Sequence, residues 1–392
     1  MTNQKKVLST CITLKWSMTM DKLKIALVGA GNRGSSAYLP IIAKMDDDLE
    51  LVAICDESAD RAKQHAEKYK VPYFTDVTIM VETAKPDIAA VVITPHRNHE
   101  AGIPLSQMGV SYCTETPIDT DLGWADKMIA TAKENNTKLE VCENYYRVPG
   151  ERIKRELILS GVFGKILTAY NDFNGHGYHG VGLIRSYIGF DVNITRVIGM
   201  YKKFTVQEHT YMKARQTGED WQMGLLEFEN GSVGIFNFGG LSYGSPLRWY
   251  NSSRFYGERG MCIGDGQRSY SYKEQITILN KEADAKLPIV VVRRTTKSKD
   301  GMDVLDALVA KTEPDTGLEV VWKNPFSKYS LSDGQLCIAS ELMSVANAHR
   351  NNTKPEYGAL NGRIDQEVSL AMALSWSKGN VPVELPLPVE PR

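Results

Sequence analysis

Three sets of residues in this chain of 392 have types and spacings suited to chemistry. The first is Gly29-Ala30-Gly31-Asn32-Arg33-Gly34, a G-x-G-x-x-G loop directly after the apolar run Lys24–Val28. In such a loop the first glycine permits a tight turn, the second lets backbone approach a pyrophosphate, and the third lets helix and strand pack closely. The helix that follows offers free N–H groups and a positive dipole end. The second is Asp56, which ends the next apolar run 22 residues after Gly34, where an acid takes ribose hydroxyls. An acid there repels a 2′-phosphate, so NAD is expected in preference to NADP, with Arg33 and Arg61 opposing weakly. The third is the pair His176 and His179, set in and just after the glycine-rich stretch Asn174-Gly175-His176-Gly177-Tyr178. Glycines let backbone approach a ligand, and a histidine titrating near neutrality can move a proton. His179 opens a helix, so capping is its other use. The pair has no acidic or cysteine partner, and no metal is expected.

These residues need elements to hold them. From Lys24 to about Cys142, short apolar runs (Lys24–Val28, Leu51–Cys55, Ile88–Ile93, Ser111–Thr114, Leu139–Cys142) alternate with helical stretches such as Glu57–Lys70, Glu100–Met108 and Leu122–Asn135. Unalternating β-branched runs are strands buried on both faces, and strand–helix alternation predicts a parallel α/β sheet. Pro40 is expected to kink the first helix. After Tyr146 a helix, Gly150–Leu159, leads into longer alternating strands at Lys165–Phe173, Thr195–Tyr201, Gln222–Phe228 and Val233–Phe238, which predict an antiparallel sheet. Asn230-Gly231 predicts a type I′ hairpin turn. Residues 282–330 read as an irregular insert, with the basic run Arg293–Lys299 as an exposed loop. Two helices follow, near Gln335–His349 and Arg363–Lys378, with Gly379 as a cap. The division expected is a disordered extension over 1–20, a dinucleotide-binding domain over 21–145 and a substrate-binding and oligomerisation domain over 146–392.

Composition excludes several classes. Lys+Arg 46 against Asp+Glu 47 leaves a net charge of −1, without the basic footprint that a nucleic-acid or anionic-membrane partner requires. No apolar run reaches the ~18 residues of a membrane-spanning helix. Six scattered cysteines without C-x-x-C spacing read as reduced thiols, and a cytoplasmic location is expected.

Three further segments accompany the glycine loop. They are Val91-Val92-Ile93-Thr94-Pro95-His96-Arg97-Asn98-His99, then Thr114-Glu115-Thr116-Pro117, then His179 ten residues before Gly189 with Arg185 between. Together these resemble the glucose–fructose oxidoreductase / inositol dehydrogenase (Gfo/Idh/MocA) family, from about Lys24 to Pro388 and most strongly before Gly189. The resemblance implies a Rossmann domain followed by an α/β domain with a large open sheet. It implies NAD-dependent oxidation of a sugar, polyol or glycoside, and a homodimer or homotetramer formed through that sheet. The family's usual lysine, in Glu-Lys-Pro, is Thr116 here. Its aspartate four residues before the histidine is Gly175, and the acid three after it is Gly182, so His179 alone remains as the general base. A subset of the family, NAD-recycling glycoside hydrolases, also lacks the lysine. Its motifs are similar to His179-Gly180-Val181-Gly182 and Glu143-Asn144-Tyr145-Tyr146. A non-catalytic NAD-binding protein is the third reading.

The resemblance assigns Thr94, Pro95, His96, His99, Glu115, Thr116 and Asn144 to the cofactor, beside Gly29, Gly31, Asn32, Arg33, Gly34 and Asp56. His99 is also read as starting the next helix. His176 is expected to assist His179, and Tyr146, at the domain junction, to relay a proton, stack on a sugar or simply pack. Arg185 is read either as holding substrate oxygens or as one half of an ion pair, and Trp221, Arg248 and Trp249 either as a sugar platform or as packing.

Overall fold

The computed structural model describes residues 21–211, 213–241, 251–263, 275–278 and 289–392. The expectations for residues 1–20, Arg248 and Trp249 lie outside these.

Six strands form the first sheet: β1 (Leu23–Val28), β2 (Leu49–Cys55), β3 (Tyr73–Phe74), β4 (Ile88–Val91), β5 (Ser111–Thr114) and β6 (Leu139–Val141). They pair in parallel in the order β3-β2-β1-β4-β5-β6, the doubly wound arrangement with its ligand crevice at the strands' C-terminal ends. Strands β4, β5 and β6 are buried at every residue, which is why their sequences do not alternate. The crossovers are helices α1 (Leu39–Lys44), α2 (Ala59–Tyr69), α3 (Val77–Ala84), α4 (Asn98–Gln107) and α5 (Leu122–Glu134). Ser58, Asp76 and Asp121 cap α2, α3 and α5 through side-chain oxygens. Pro40 lies inside a continuous helical run, directly after Gly34–Tyr38, which is wound as a π-helical turn, so the helix is irregular where the proline interrupts it.

The chain then runs through α6 (Pro149–Leu159) into β7 (Ile166–Asp172), α7 (Gly177–Ile188), β8 (Ile194–Tyr211), β9 (Ala214–Phe228) and β10 (Val233–Gly239). Next come β11 (Ser252–Gly257), β12 (Gly260–Ile263), β13 (Gln275–Ile278), β14 (Ile289–Lys299), β15 (Met302–Glu313) and β16 (Glu319–Lys323). Helices α8 (Leu336–Asn351) and α9 (Gly358–Ser377) and the short β17 (Val383–Glu384) complete the described chain. The second sheet has eleven strands in the order β16-β15-β14-β13-β12-β11-β7-β10-β9-β8-β17, antiparallel except where β10 meets β7. Helices α7 and α9 pack on one face of it, against β7, β10 and β8. The opposite face exposes Leu167, Met200, Met223 and Leu225. Helix α8 returns to the first sheet, against β4, β5 and β6.

Two turns correct the sequence reading. Asn230 does not take a left-handed conformation. Gly231 does (φ 81°), and its N–H bonds back to the Phe228 carbonyl at 2.8 Å, so the β9–β10 link is the longer hairpin type built around an ordinary turn. Nor are residues 282–330 an irregular insert: those described from 289 to 323 are largely the three strands β14, β15 and β16. The basic run Arg293–Lys299 is part of β14, paired with β15 from Arg293↔Val309 to Lys299↔Met302 with a register shift between Thr295 and Thr296. Asp300 (φ 50°) and Gly301 (φ 76°) make the two-residue turn, and Arg293–Glu313 and Lys297–Asp306 pair charges across the strands.

Among the described residues no helix is long and apolar enough to cross a membrane. Cys55, Cys113, Cys142 and Cys337 are buried thiols.

Candidate active site

The glycine loop leaves β1 into the first helical turn. Gly29 takes φ 99°, and a Cβ on Gly34 would stand 2.0 Å from the Gly29 carbonyl oxygen, so the third glycine is required by the loop's own backbone. At Gly31 a Cβ would meet nothing within 4 Å, which leaves an open cradle beside the backbone where a pyrophosphate is expected. Asp56 follows β2 and buttresses that loop. Its Oδ2 accepts the Ala30 N–H at 2.8 Å, and its Oδ1 accepts the Ser58 N–H at 2.8 Å and Arg61 Nη2 at 2.8 Å. Burial alone would raise this carboxyl; the Arg61 guanidinium and the two N–H groups outweigh burial and hold it below the usual carboxylate range. The cradle, the acid and the free helix start fit a dinucleotide.

A cleft of about 530 Å³ opens at the C-terminal ends of these strands, lined by Arg33, Val92, Ile93, Pro95, Glu115, Thr116, Asn144, Tyr145, Tyr178 and His179. Glu115 Oε1 accepts Arg33 Nε at 2.7 Å and the Tyr38 hydroxyl at 2.9 Å. Beneath it, the same hydroxyl lies 3.3 Å from the fully buried Glu341 of α8. Burial pushes the Glu341 carboxyl up to about 8, with Glu115 adding to the shift and Arg147 and Arg33 opposing it.

A second cleft, of about 380 Å³, adjoins the first and shares Pro95 and Tyr178 with it. His96, Thr120, His176, Gln222, Gln366 and Ser369 supply its polar lining. The two histidine rings lie 4.8 Å apart at the seam, one lining each cleft. Burial, and then the proximity of His179, lower His176 to about 4, so it is neutral at physiological pH. His179 sits in the first turn of α7, with Nδ1 2.6 Å from Glu143 Oε2 and its ring against Tyr145 and Tyr178.

The structure thus brings Arg33, Pro95, Glu115, Thr116, Asn144 and His179 to one cleft and His96 and His176 to its neighbour. Thr94 precedes the single turn Pro95–Arg97 that presents Pro95 and His96. Four residues are placed elsewhere. His99 lies in α4, bonded to Asp119 at 2.8 Å and stacked on Trp124 at 4.2 Å. Tyr146 is fully buried between Phe190 and Tyr357, with the guanidinium groups of Arg147, Arg152 and Arg155 about its ring. Its neighbour Tyr145 takes the place in the cleft. Arg185 is an ion-pair residue, 2.7 Å from Asp365 in the core between α7 and α9. Trp221 stands on β9 against Phe173 and Phe204, and the next residue, Gln222, is the one that lines the cleft. Sequence reasoning passed over Tyr145, Tyr178 and the contact of Glu143 with His179. A three-residue turn after β6 has no periodicity to reveal which of two adjacent tyrosines faces inward.

Residues 23–143 match the model of the Gfo/Idh/MocA oxidoreductase family with an NAD-binding Rossmann fold. D-glucoside 3-dehydrogenase of Escherichia coli K12 is 25% identical over 250 residues, 56% of this chain and 71% of that protein. Glycosyl hydrolase family 109 protein 1 of Akkermansia muciniphila is 27% identical over 160 residues, 38% of this chain but only 32% of that protein. Among solved structures, levoglucosan dehydrogenase in complex with NADH and levoglucosan matches with a TM-score of 0.69 at 16% identity, over 94% of this chain and 100% of that one. This last likeness is one of fold.

Proposed function

We propose, from a first domain that matches the Gfo/Idh/MocA oxidoreductases, that the chain is an NAD-dependent oxidoreductase acting on a hydroxyl of a sugar, polyol or glycoside. The observation that carries this reading is the seam between the two clefts. A dinucleotide cradle opens onto a pocket lined by uncharged hydrogen-bonding side chains, with His176 and His179 where the two meet. NAD, when bound, accepts hydride. The chain's own residues then have three tasks. The Gly29–Gly34 loop and Asp56 hold the dinucleotide. Gln222, Gln366, Ser369 and His96 supply donors and acceptors to the hydroxyls of the substrate. His179 takes the proton of the reacting hydroxyl as its carbon loses hydride. Thr116, which cannot act as a base at neutral pH, donates a hydrogen bond. Supporting the reading are the sugar-oxidising names of the relatives.

Cofactor absorbance on mixing the protein with NAD and a panel of neutral sugars, polyols and glycosides tests it. Net NADH formation is the expected result; its absence with every member of the panel, while NAD binds, would remove the dehydrogenase reading.

The two imidazoles at the seam favour a second reading, in which oxidation is transient. NAD would take up the hydride and give it back, and between those events the two imidazoles would move the protons as the aglycone is eliminated and water adds. The match to a family 109 glycosyl hydrolase, partial though it is, points the same way. Release of aglycone without net NADH distinguishes the two.

The apolar outer face of the second sheet is the surface proposed for self-assembly.

A further inference from the structure

We propose that Glu143 is the positioning residue of this site: its carboxylate fixes the His179 ring with the proton on Nδ1 and turns Nε2 toward the cleft. The inference rests on the reading of His179 as the base. His179 Nδ1 lies 2.6 Å from Glu143 Oε2, and the other carboxylate oxygen, Oε1, accepts the Tyr145 N–H at 3.0 Å. Both side chains are largely buried, Glu143 at 1% exposure and His179 at 11%. Glu143 therefore accepts two hydrogen bonds from fixed directions and has no freedom to turn. Which imidazole nitrogen carries the proton is set by the bond the other one makes. An acceptor at Nδ1 places the proton there and leaves the lone pair on Nε2.

The glycines around His179 make room for this arrangement. A Cβ on Gly182 would stand 2.7 Å from Asp365 Oδ2 and 3.2 Å from Glu143 Cγ, so any side chain there would displace the carboxylate. A Cβ on Gly175 would stand 2.9 Å from the His179 carbonyl carbon and 3.0 Å from its Cβ. Neither helix-side position can hold an acid beside this histidine. The carboxylate comes from the end of β6, in the other sheet.

Several titratable or charged groups surround the pair. His176, Tyr178 and Arg185 belong to α7 or its start, and Tyr145 to the turn after β6. Tyr357 and Asp365 stand at the start and in the first half of α9, and Glu341 on α8. Asp365 is committed to Arg185 and to the Tyr357 hydroxyl. Within this ring of groups, Glu143 stands at hydrogen-bond distance from His179 Nδ1.

The test needs no substrate at first. Long-range proton–nitrogen NMR on histidine-labelled protein at pH 7.5 reports each ring's tautomer, and His179→Asn identifies the signal of His179. The parent should show a protonated Nδ1 and a bare Nε2. Glu143→Gln, which keeps the shape and the Tyr145 contact, should shift the ring toward a mixture of tautomers. Glu143→Asp should restore part of the parent pattern. With an oxidised substrate in hand, Glu143→Gln should lower kcat by ~10- to 100-fold, the usual cost of losing a ring-orienting partner. KM for NAD should stay within about twofold, and the acid limb of the kcat/KM profile should move to lower pH. A parent ring protonated on Nε2, or one unchanged by Glu143→Gln in a folded protein, overturns the inference. If the tautomer behaves as stated and no substrate is oxidised, the assignment of Glu143 stands and the dehydrogenase reading fails.

Discussion

At the scale of single residues, chemistry and stability separate cleanly. His179 lines the cleft, so His179→Ala should lower kcat by roughly 100- to 10,000-fold, the span of general acid–base catalysis. NAD binding measured by calorimetry should hardly change. Turnover within about threefold of the parent would make the histidine structural. Glu341 is the opposite case. Its carboxyl, ~4.3 in an unfolded chain, rises to about 8 in the fold because burial opposes its charge. A group that binds its proton more tightly when folded stabilises the protein fully below its unfolded value. That contribution is lost as pH climbs toward the folded value. Glu341→Gln should therefore flatten the fall in melting temperature between about pH 5 and 8 and leave the variant more stable than the parent at pH 8. An unchanged slope would show that Glu341 keeps its charge. The glycine loop and Asp56 were legible in the sequence because each sits at a fixed offset from a strand end, whereas Glu115 and Thr116 were reached only through the family resemblance. Tyr145 was not, because Tyr145 and Tyr146 differ only in which way a single turn points them. Nor was the Glu143–His179 contact, which spans 36 residues and joins elements of different sheets.

At the scale of elements, all strands of the first sheet but the two-residue β3 were readable, since strands buried on both faces announce themselves as apolar runs. The hairpin of β14 and β15 was hidden. Most of β14 is exposed on both faces, so its sequence carries charges where a core strand would alternate. The pairing energy there comes from the backbone ladder and cross-strand ion pairs, neither of which leaves an apolar pattern. Its turn did carry a signal, for Asp-Gly is a preferred two-residue hairpin turn. The Asn-Gly that looked equally strong serves a longer one. Element packing also fixes what the glycine loop tolerates. Gly34→Ala would drive a methyl group into the Gly29 carbonyl oxygen. That variant should lose most of its NAD affinity and melt several degrees lower, measured by calorimetric titration and thermal unfolding. Parent-like affinity would mean that the loop can open without cost.

At the scale of the whole molecule, the second sheet exposes apolar side chains on one face among the described residues. Met223 is 42% and Leu225 37% exposed on adjacent registers of β9, with Leu167 at 42% nearby on β7. Clustered apolar side chains on one face are the kind of surface that self-association covers. A second copy of the chain is the occupant proposed here. Light scattering after gel filtration should find a dimer or tetramer, and Met223→Lys with Leu225→Lys should shift it toward monomer while the fold persists. A monomeric parent would dismiss the assembly.

The division of the Glu143–His179 pair between two sheets has one more consequence. The ring belongs to a helix lying on the large sheet, and its anchor to the segment just beyond the edge strand of the parallel one. A hydrogen bond holds only over a narrow range of distances, so this contact exists only where the two layers are seated closely against each other. On the proposed reading of His179 as the base, the poise of its ring is therefore a property of the joint between the two layers, and of neither layer alone.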